Sequence, residues 1–285
     1  MPCRPNRVAL KLLSICLIAV SLSSCAPAFL YRHADRLALW KIDEYVDLTS
    51  TQKGFVRDRL RALLAQHRTD ALPRYERFLV QMKEKSADGL DRQEIDWAFS
   101  TYQDLRADLF GRLVPDSAAL LSSLTDEQVR YLDNRLQRDA EKAARPLRES
   151  TESRLSARAA KTLDWLKDWL GPLTKAQQAR IKEWSMALPD LAPVRVARQH
   201  DRQQDVLHLL TATRDRQAIS AYLNYWVLFP ERTARSDYQQ AIDDMNASMK
   251  DMVLAVDRLI TTQQRARALT KLQHLIDDVH ALAAS

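Results

Sequence analysis

The chain has 285 residues, with 43 Lys plus Arg against 37 Asp plus Glu and 46% apolar residues. That is long enough to bury a real core and too apolar for wholesale disorder. Glycine is the informative count: there are 4, where average usage of about 7% would supply roughly twenty. So few glycines exclude a many-turned β fold, a hydrolase nucleophile elbow and a phosphate-cradling loop. They point instead to long helices joined by short polar or proline-marked turns.

Residues 1–24 have the build of a targeting segment and are set aside from the fold. Arg4, Arg7 and Lys11 form a positive start, and an apolar run follows from Leu12 to Val20. That run is too short to span a bilayer, which needs roughly 20 apolar residues. It ends in Leu22-Ser23-Ser24-Cys25, which resembles a bacterial lipobox. In signals of that kind the Cys thiol receives a diacylglycerol, the peptide is cut before it, and the new amine is acylated. The resemblance implies lipid attachment at Cys25, a short tether over residues 25–30, and a folded region over 31–285. Ala26 is not the Asp that retains such lipoproteins in the inner membrane. The expected location is therefore the inner leaflet of the outer membrane, facing the periplasm. Processing removes Cys3 and Cys16 and uses Cys25, which leaves no thiol for a disulfide, metal site or nucleophile. It also removes three positive residues and no negative ones, so the remainder carries +3. No Lys/Arg block stands free of acids, and no nucleic-acid partner is expected.

Helix starts recur along the rest of the chain. Thr49 with Gln52 has the form of a capping box, in which the Thr hydroxyl and the Gln side chain each satisfy the other's backbone N–H. The pattern returns as Thr125 with Gln128, as Thr174 with Gln177, and in weaker form at Thr261 with Gln264. After the first two Gln residues, apolar side chains fall three, four and eight positions on: Phe55, Val56 and Leu60, then Tyr131, Leu132 and Leu136. That is one stripe of a helix. Asp91 with Glu94 caps a further helix expected to end near Pro115. A stripe from Leu155 to Leu170 is stopped by Gly171-Pro172. Pro73 and Pro146 should kink or break helical stretches. Tyr222, Tyr225 and Trp226 cluster before Pro230, and long helices follow over 235–259 and 265–282. The expected fold is all-α, with nine to eleven mostly antiparallel helices in a bundle-like arrangement. The motif spacing hints at two halves divided near Gly171, although helix capping alone would also produce it.

The Leu-Thr-x-x-Gln motif at 48, 124 and 173 resembles that of the periplasmic Spy and CpxP chaperone and stress-adaptor proteins. A longer likeness runs through Tyr31, Asp35, Leu37, Trp40, the stretch from Asp43 to Thr49, Gln52, His67 and Leu72-Pro73-Arg74-Tyr75. It continues in Trp169 to Thr174 with Gln177. These residues resemble an uncharacterised family of helical Gram-negative lipoproteins, with no activity to carry over. Candidate chemistry is sparse. His274, Asp278 and His280, and likewise His200 and His208 among Asp201 and Asp205, could supply metal ligands but fit a solvated helix face better. Asp43, Glu44 and Asp47 could form a carboxylate pair with His67 or Arg74, or simply complement a helix N-terminus. The six tryptophans fall at core positions, and most are expected to be buried. The chain is thus expected to bind an envelope protein or client chain, as an adaptor or chaperone. A structural role in envelope assembly is the alternative, and an enzyme acting on an envelope polymer the third reading. No catalytic residue, cofactor, metal or small-molecule substrate is expected beyond the lipid on Cys25.

Overall fold

A computed structural model describes residues 26–228 and 236–284. The signal segment, Cys25 and Pro230 lie outside the described residues. All regular structure among the described residues is helical. The short α1 (Ala26–Arg32) precedes eleven helices of 13 residues or more. These are α2 (Ala34–Val46), α3 (Ser50–Gln66), α4 (Leu72–Lys85), α5 (Arg92–Ser122), α6 (Asp126–Ala144) and α7 (Thr151–Leu170). They continue as α8 (Lys175–Ala187), α9 (Ala192–Ala212), α10 (Arg216–Leu228), α11 (Ser236–Leu259) and α12 (Thr262–Ala284).

Capping chemistry sets most of the helix starts. Thr49, Asp91, Thr125 and Thr174 each occupy an N-cap in extended backbone and close a full capping box. Thr261 does the same at α12: its N–H donates to Gln264 Oε1 at 2.9 Å, and its Oγ1 accepts from the Gln264 N–H at 3.2 Å. The weaker sequence copy is therefore equal to the others in geometry. Gly171 ends α7 at φ 80°, where an added Cβ would meet the Arg267 guanidinium. The positive φ is what requires glycine there, since the exposed Arg267 guanidinium ends a flexible side chain that can swing aside.

The prolines divide the expectations. Pro73 follows a π-helical turn, His67–Ala71, and Pro146 sits in a 3₁₀ turn, Arg145–Arg148, so both mark breaks in the α-helical ladder. Pro115 does not end its helix, because α5 continues seven residues further, to Ser122. Packing of α5 along α10 outweighs the hydrogen bond that the proline forgoes. Gly111, whose carbonyl the ring faces, has open space where a side chain would stand.

Two cores form. The first gathers Val46, Leu48, Val56, Ala118, Leu124, Val129 and Leu132 with Leu210 and Ile219 from α9 and α10. The second gathers Leu166, Leu170, Leu173, Ile181, Leu188 and Met252. Helices after Gly171 thus contribute to the first core, and α12 packs along α4. In the stripes after Gln52 and Gln128 the positions four on, Val56 and Leu132, are buried. The positions three on, Phe55 and Tyr131, are exposed at the edge of the stripe.

None of the six tryptophans is fully buried, contrary to expectation, and Trp40 and Trp165 are 64% and 57% exposed. Five carry a cation over the ring. Lys85 lies 5.2 Å from the Trp97 centroid, Arg180 5.2 Å from Trp184, Lys271 5.4 Å from Trp169, Arg202 4.8 Å from Trp226 and Lys41 5.8 Å from Trp40. A cation over the π face lets an indole sit at the core edge without full burial.

Candidate functional site

The capping boxes meet in pairs. At the joined N-termini of α3 and α6, Gln52 Nε2 donates to Gln128 Oε1 at 3.2 Å, and Gln128 Nε2 donates back to Gln52 Oε1 at 2.7 Å. Each amide also donates to the carbonyl two residues before the opposite Thr: Gln52 to Ser123 at 3.1 Å, and Gln128 to Asp47 at 2.9 Å. The N-termini of α8 and α12 repeat this arrangement. Gln177 and Gln264 exchange amide bonds at 2.8 and 3.1 Å, and donate to the carbonyls of Leu259 and Pro172 at 3.1 and 2.9 Å. All four Gln side chains are buried. The sequence reading found the caps but not their partners. The signal was present in the fourth motif copy and in an apolar residue, Leu or Ile, before each Thr.

The acidic residues before α3 go to helix and ion-pair duties. Asp43 Oδ1 accepts from the Leu48 N–H at 2.8 Å, and Oδ2 pairs with Lys53 at 2.9 Å. Glu44 pairs with Lys41 at 2.7 Å and with Arg135. The Lys41 hydrogen bond, with Arg135 beside it, holds the Glu44 carboxyl below the usual carboxylate range. Asp47 adopts φ 48° and contributes its backbone to the first Gln pair. Tyr45 donates to Asp139, and burial followed by that hydrogen bond raises its hydroxyl pKa. His67 and Arg74 have other partners: Tyr31 for the first, Asp108 at 2.9 Å for the second.

His67 begins the π-helical turn and is buried. Its Nδ1 lies 3.0 Å from the Tyr31 hydroxyl, and the Tyr31 and Tyr75 rings flank it at 5.8 and 5.4 Å. Burial, aided by the charge of Arg112, lowers its pKa and favours the neutral ring. π-Helical turns concentrate at functional positions, so this small aromatic nest is the most site-like of the predicted residues. The other candidate histidines are at the surface. His280 contacts Glu76 at 3.0 Å, and His274 and His208 are exposed. His200 lines an open concavity of about 250 Å³ with Asp133, Glu141 and Leu207. Among the described residues no three His, Cys, Asp or Glu side chains converge as a metal site would require.

The aromatic cluster expected at Tyr222 and Trp226 is joined by two arginines that the sequence did not indicate. Arg202 stands over Trp226, whose ring stacks on Tyr222 at 6.4 Å, and Arg198 is buried beside it, 6.0 Å from the Tyr238 ring. Burial, with Asp205 nearby, pushes the Tyr222 hydroxyl up to about 12. The arginines and aromatics lie a turn or more apart on α9, α10 and α11, so only the tertiary fold assembles them.

The chain belongs to a family of unknown function (DUF6279), whose model matches residues 44–239. That span includes the first pair of capping boxes, the π-helical turn and the third cap, at Thr174. No curated protein and no solved structure matches the chain.

Two expectations follow. Gln52→Leu leaves the Gln128 amide buried without its partner and should cost about 1–3 kcal/mol. The double variant with Gln128→Leu should cost less than the sum of the two single changes. Urea unfolding of the four proteins measures the coupling, and simple additivity would show that the two boxes act independently. His67 is lowered in the fold, so the unfolded chain binds the proton more readily below about pH 6.5. Its contribution is fully present above that pH and is lost as pH falls through the folded-state value. His67→Gln should therefore flatten the fall in stability between neutral and mildly acidic pH, as read from melting temperatures.

Proposed function

We propose that this chain is a lipid-anchored protein of the cell envelope that binds another envelope protein or a client chain, as an adaptor or chaperone. On this reading residues 1–24 are cleaved and Cys25 carries diacylglycerol and an N-acyl chain. The folded region then faces the periplasm from the inner leaflet of the outer membrane. The Leu22-Ser23-Ser24-Cys25 sequence supports the anchor. Three acyl chains hold firmly, because each buried CH₂ contributes about 0.8 kcal/mol. Replacing Cys25 by Ala should leave the precursor uncleaved and without radioactive fatty-acid label. Normal labelling of that variant would overturn the anchor.

The binding reading is carried by Trp165. The motif glutamines and the acidic cluster are engaged within the fold, whereas this indole stands 57% exposed on α7, 5.5 Å from the Trp169 ring. It is the tryptophan over which no cation lies among the described residues. Exposed tryptophans are frequent anchors of protein interfaces. A photoreactive benzophenone side chain introduced at Lys161, one turn away, should crosslink in living cells to a defined envelope protein or to unfolded clients. Trp165→Ala should remove those products while leaving the melting temperature unchanged. Crosslinks that survive the Trp165 change would move the binding face elsewhere.

A further inference from the structure

Helices α1 and α2 follow one another as a rod interrupted at the single turn residue His33. The His33 N–H donates to the Phe29 carbonyl at 3.2 Å, and the Leu37 N–H to the His33 carbonyl at 3.0 Å. Helical bonding thus carries across the single irregular residue, His33, at φ −109° and ψ 11°. One side of the rod faces inward, where Leu39, Ile42 and Tyr45 pack on the first core. On the other side, Arg36 and Trp40 of α2 lie about 40° apart at 3.6 residues per turn, and Phe29 falls between them when helical register is counted through His33. Arg32 and Leu37 flank them. Phe29 is 61% exposed, Trp40 64% and Leu37 42%, and both arginines are exposed.

Single exposed apolar residues are ordinary, but three large ones on one helix face within about 17 Å are not. Their position selects the occupant. Cys25 directly precedes Ala26, the first residue of the rod. An acyl-bearing Cys25 would thus be joined directly to Ala26, which lies about 4.5 Å along the helix axis from Phe29. That separation is too short for the folded region to stand away from the bilayer.

We propose that this face of α1 and α2 is a second membrane contact, lying in the headgroup region of the leaflet that holds the Cys25 lipid. Phe29, Leu37 and Trp40 reach the glycerol and upper acyl region, and Arg32 and Arg36 pair with lipid phosphates. Tryptophan suits that boundary because its ring is apolar and its N–H needs a polar partner. Arginine suits it because its stem can lie along the apolar layer while the guanidinium remains with the phosphates. Asp43 and Glu44, at the far end of the same face, are already paired, the first with Lys53 and the second with Lys41 and Arg135. Asp35, on the flank, lies 3.7 Å from Arg61. Among the described residues no helix is long and apolar enough to cross a membrane, so the contact is a surface one. The proposal rests on the lipidation of Cys25 put forward above.

The test uses the full mature chain, purified with its lipid and reconstituted into vesicles of phosphatidylglycerol and acyl-brominated phosphatidylcholine. Bromine quenches indoles that reach the acyl boundary. Quenching of the parent fluorescence should be clear, and Trp40→Phe should abolish most of it, whereas Trp165→Phe should leave it in place. Equal quenching in the parent and in Trp40→Phe, or none in either, would overturn the proposal and leave the face to a protein partner. Mass spectrometry of the mature N-terminus separates the two ideas. If Cys25 proves unacylated, the anchor reading fails. The same quenching is then read on the unacylated chain added to these vesicles at millimolar lipid. Trp40-dependent quenching there supports the membrane face alone, and its absence overturns it.

Discussion

The fold depends on how two helix N-termini can be brought together at all. Each N-terminus presents unsatisfied N–H groups and about half a positive charge, so two placed side by side repel and leave buried donors unpaired. The glutamine pairs resolve both problems. Each Gln oxygen accepts from its own cap Thr and from the opposite amide, which places partial negative charge between the two positive ends. Each amide nitrogen donates to the opposite oxygen and to a carbonyl of the opposite turn. Donors and acceptors are matched within a closed set, the condition under which a buried polar network fixes a unique arrangement. The second set, around Gln177 and Gln264, has the same bonds to the equivalent carbonyls.

Each set also fixes a core. Leu48 and Leu124 precede the cap threonines of the first set and lie in the first core; Leu173 precedes one of the second and lies in the second core, with Ile260 packed against it. A cap motif thus carries one apolar anchor, one hydroxyl and one amide, and two motifs facing each other join a polar seal to an apolar floor. Cation–π contacts around the perimeter complete the arrangement. The second core ends in the indoles of Trp169 and Trp184, over which Lys271 and Arg180 lie.

Local signals made the helices legible, because capping and periodicity act over three or four residues. Thr49, Thr125 and Thr174 announce their helices by chemistry that needs no partner. What stayed hidden was relational. That Gln52 seeks Gln128, 76 residues away, is invisible to a local rule that already assigns each Gln to its own Thr. The Thr261 cap looked weaker because the apolar residue before it is Ile and not Leu, yet its geometry is the same. Pro115 misled because proline rules describe an isolated helix, whereas α5 is held by α10 beside that proline, where Arg216 donates to the Pro115 carbonyl and Ala118 shares the first core with Ile219. The tryptophans misled because apolar spacing does not show which cation will cover a ring. The arginine–aromatic cluster on α9, α10 and α11 likewise exists only after folding.

The rod of α1 and α2 is tied to the first glutamine set. Its last turn holds Tyr45 and Glu44, which reach Asp139 and Arg135 on α6. The residue that ends it, Asp47, gives its carbonyl to Gln128. Asp43 then secures the turn into α3 through the Leu48 N–H and Lys53. A displacement of the rod would therefore have to break side-chain bonds to α6 and a member of the closed amide set together. On the proposed docking, the bilayer and the first core would be rigidly related through this one corner, without the freedom that a flexible tether would allow. The α7 face bearing Trp165 would then have a set height and direction above the membrane. A protein with that geometry selects its partners by where they stand in the envelope as well as by what they present. Four glycines in the whole chain, none of them between Cys25 and Asp47, leave little backbone freedom to loosen that relation.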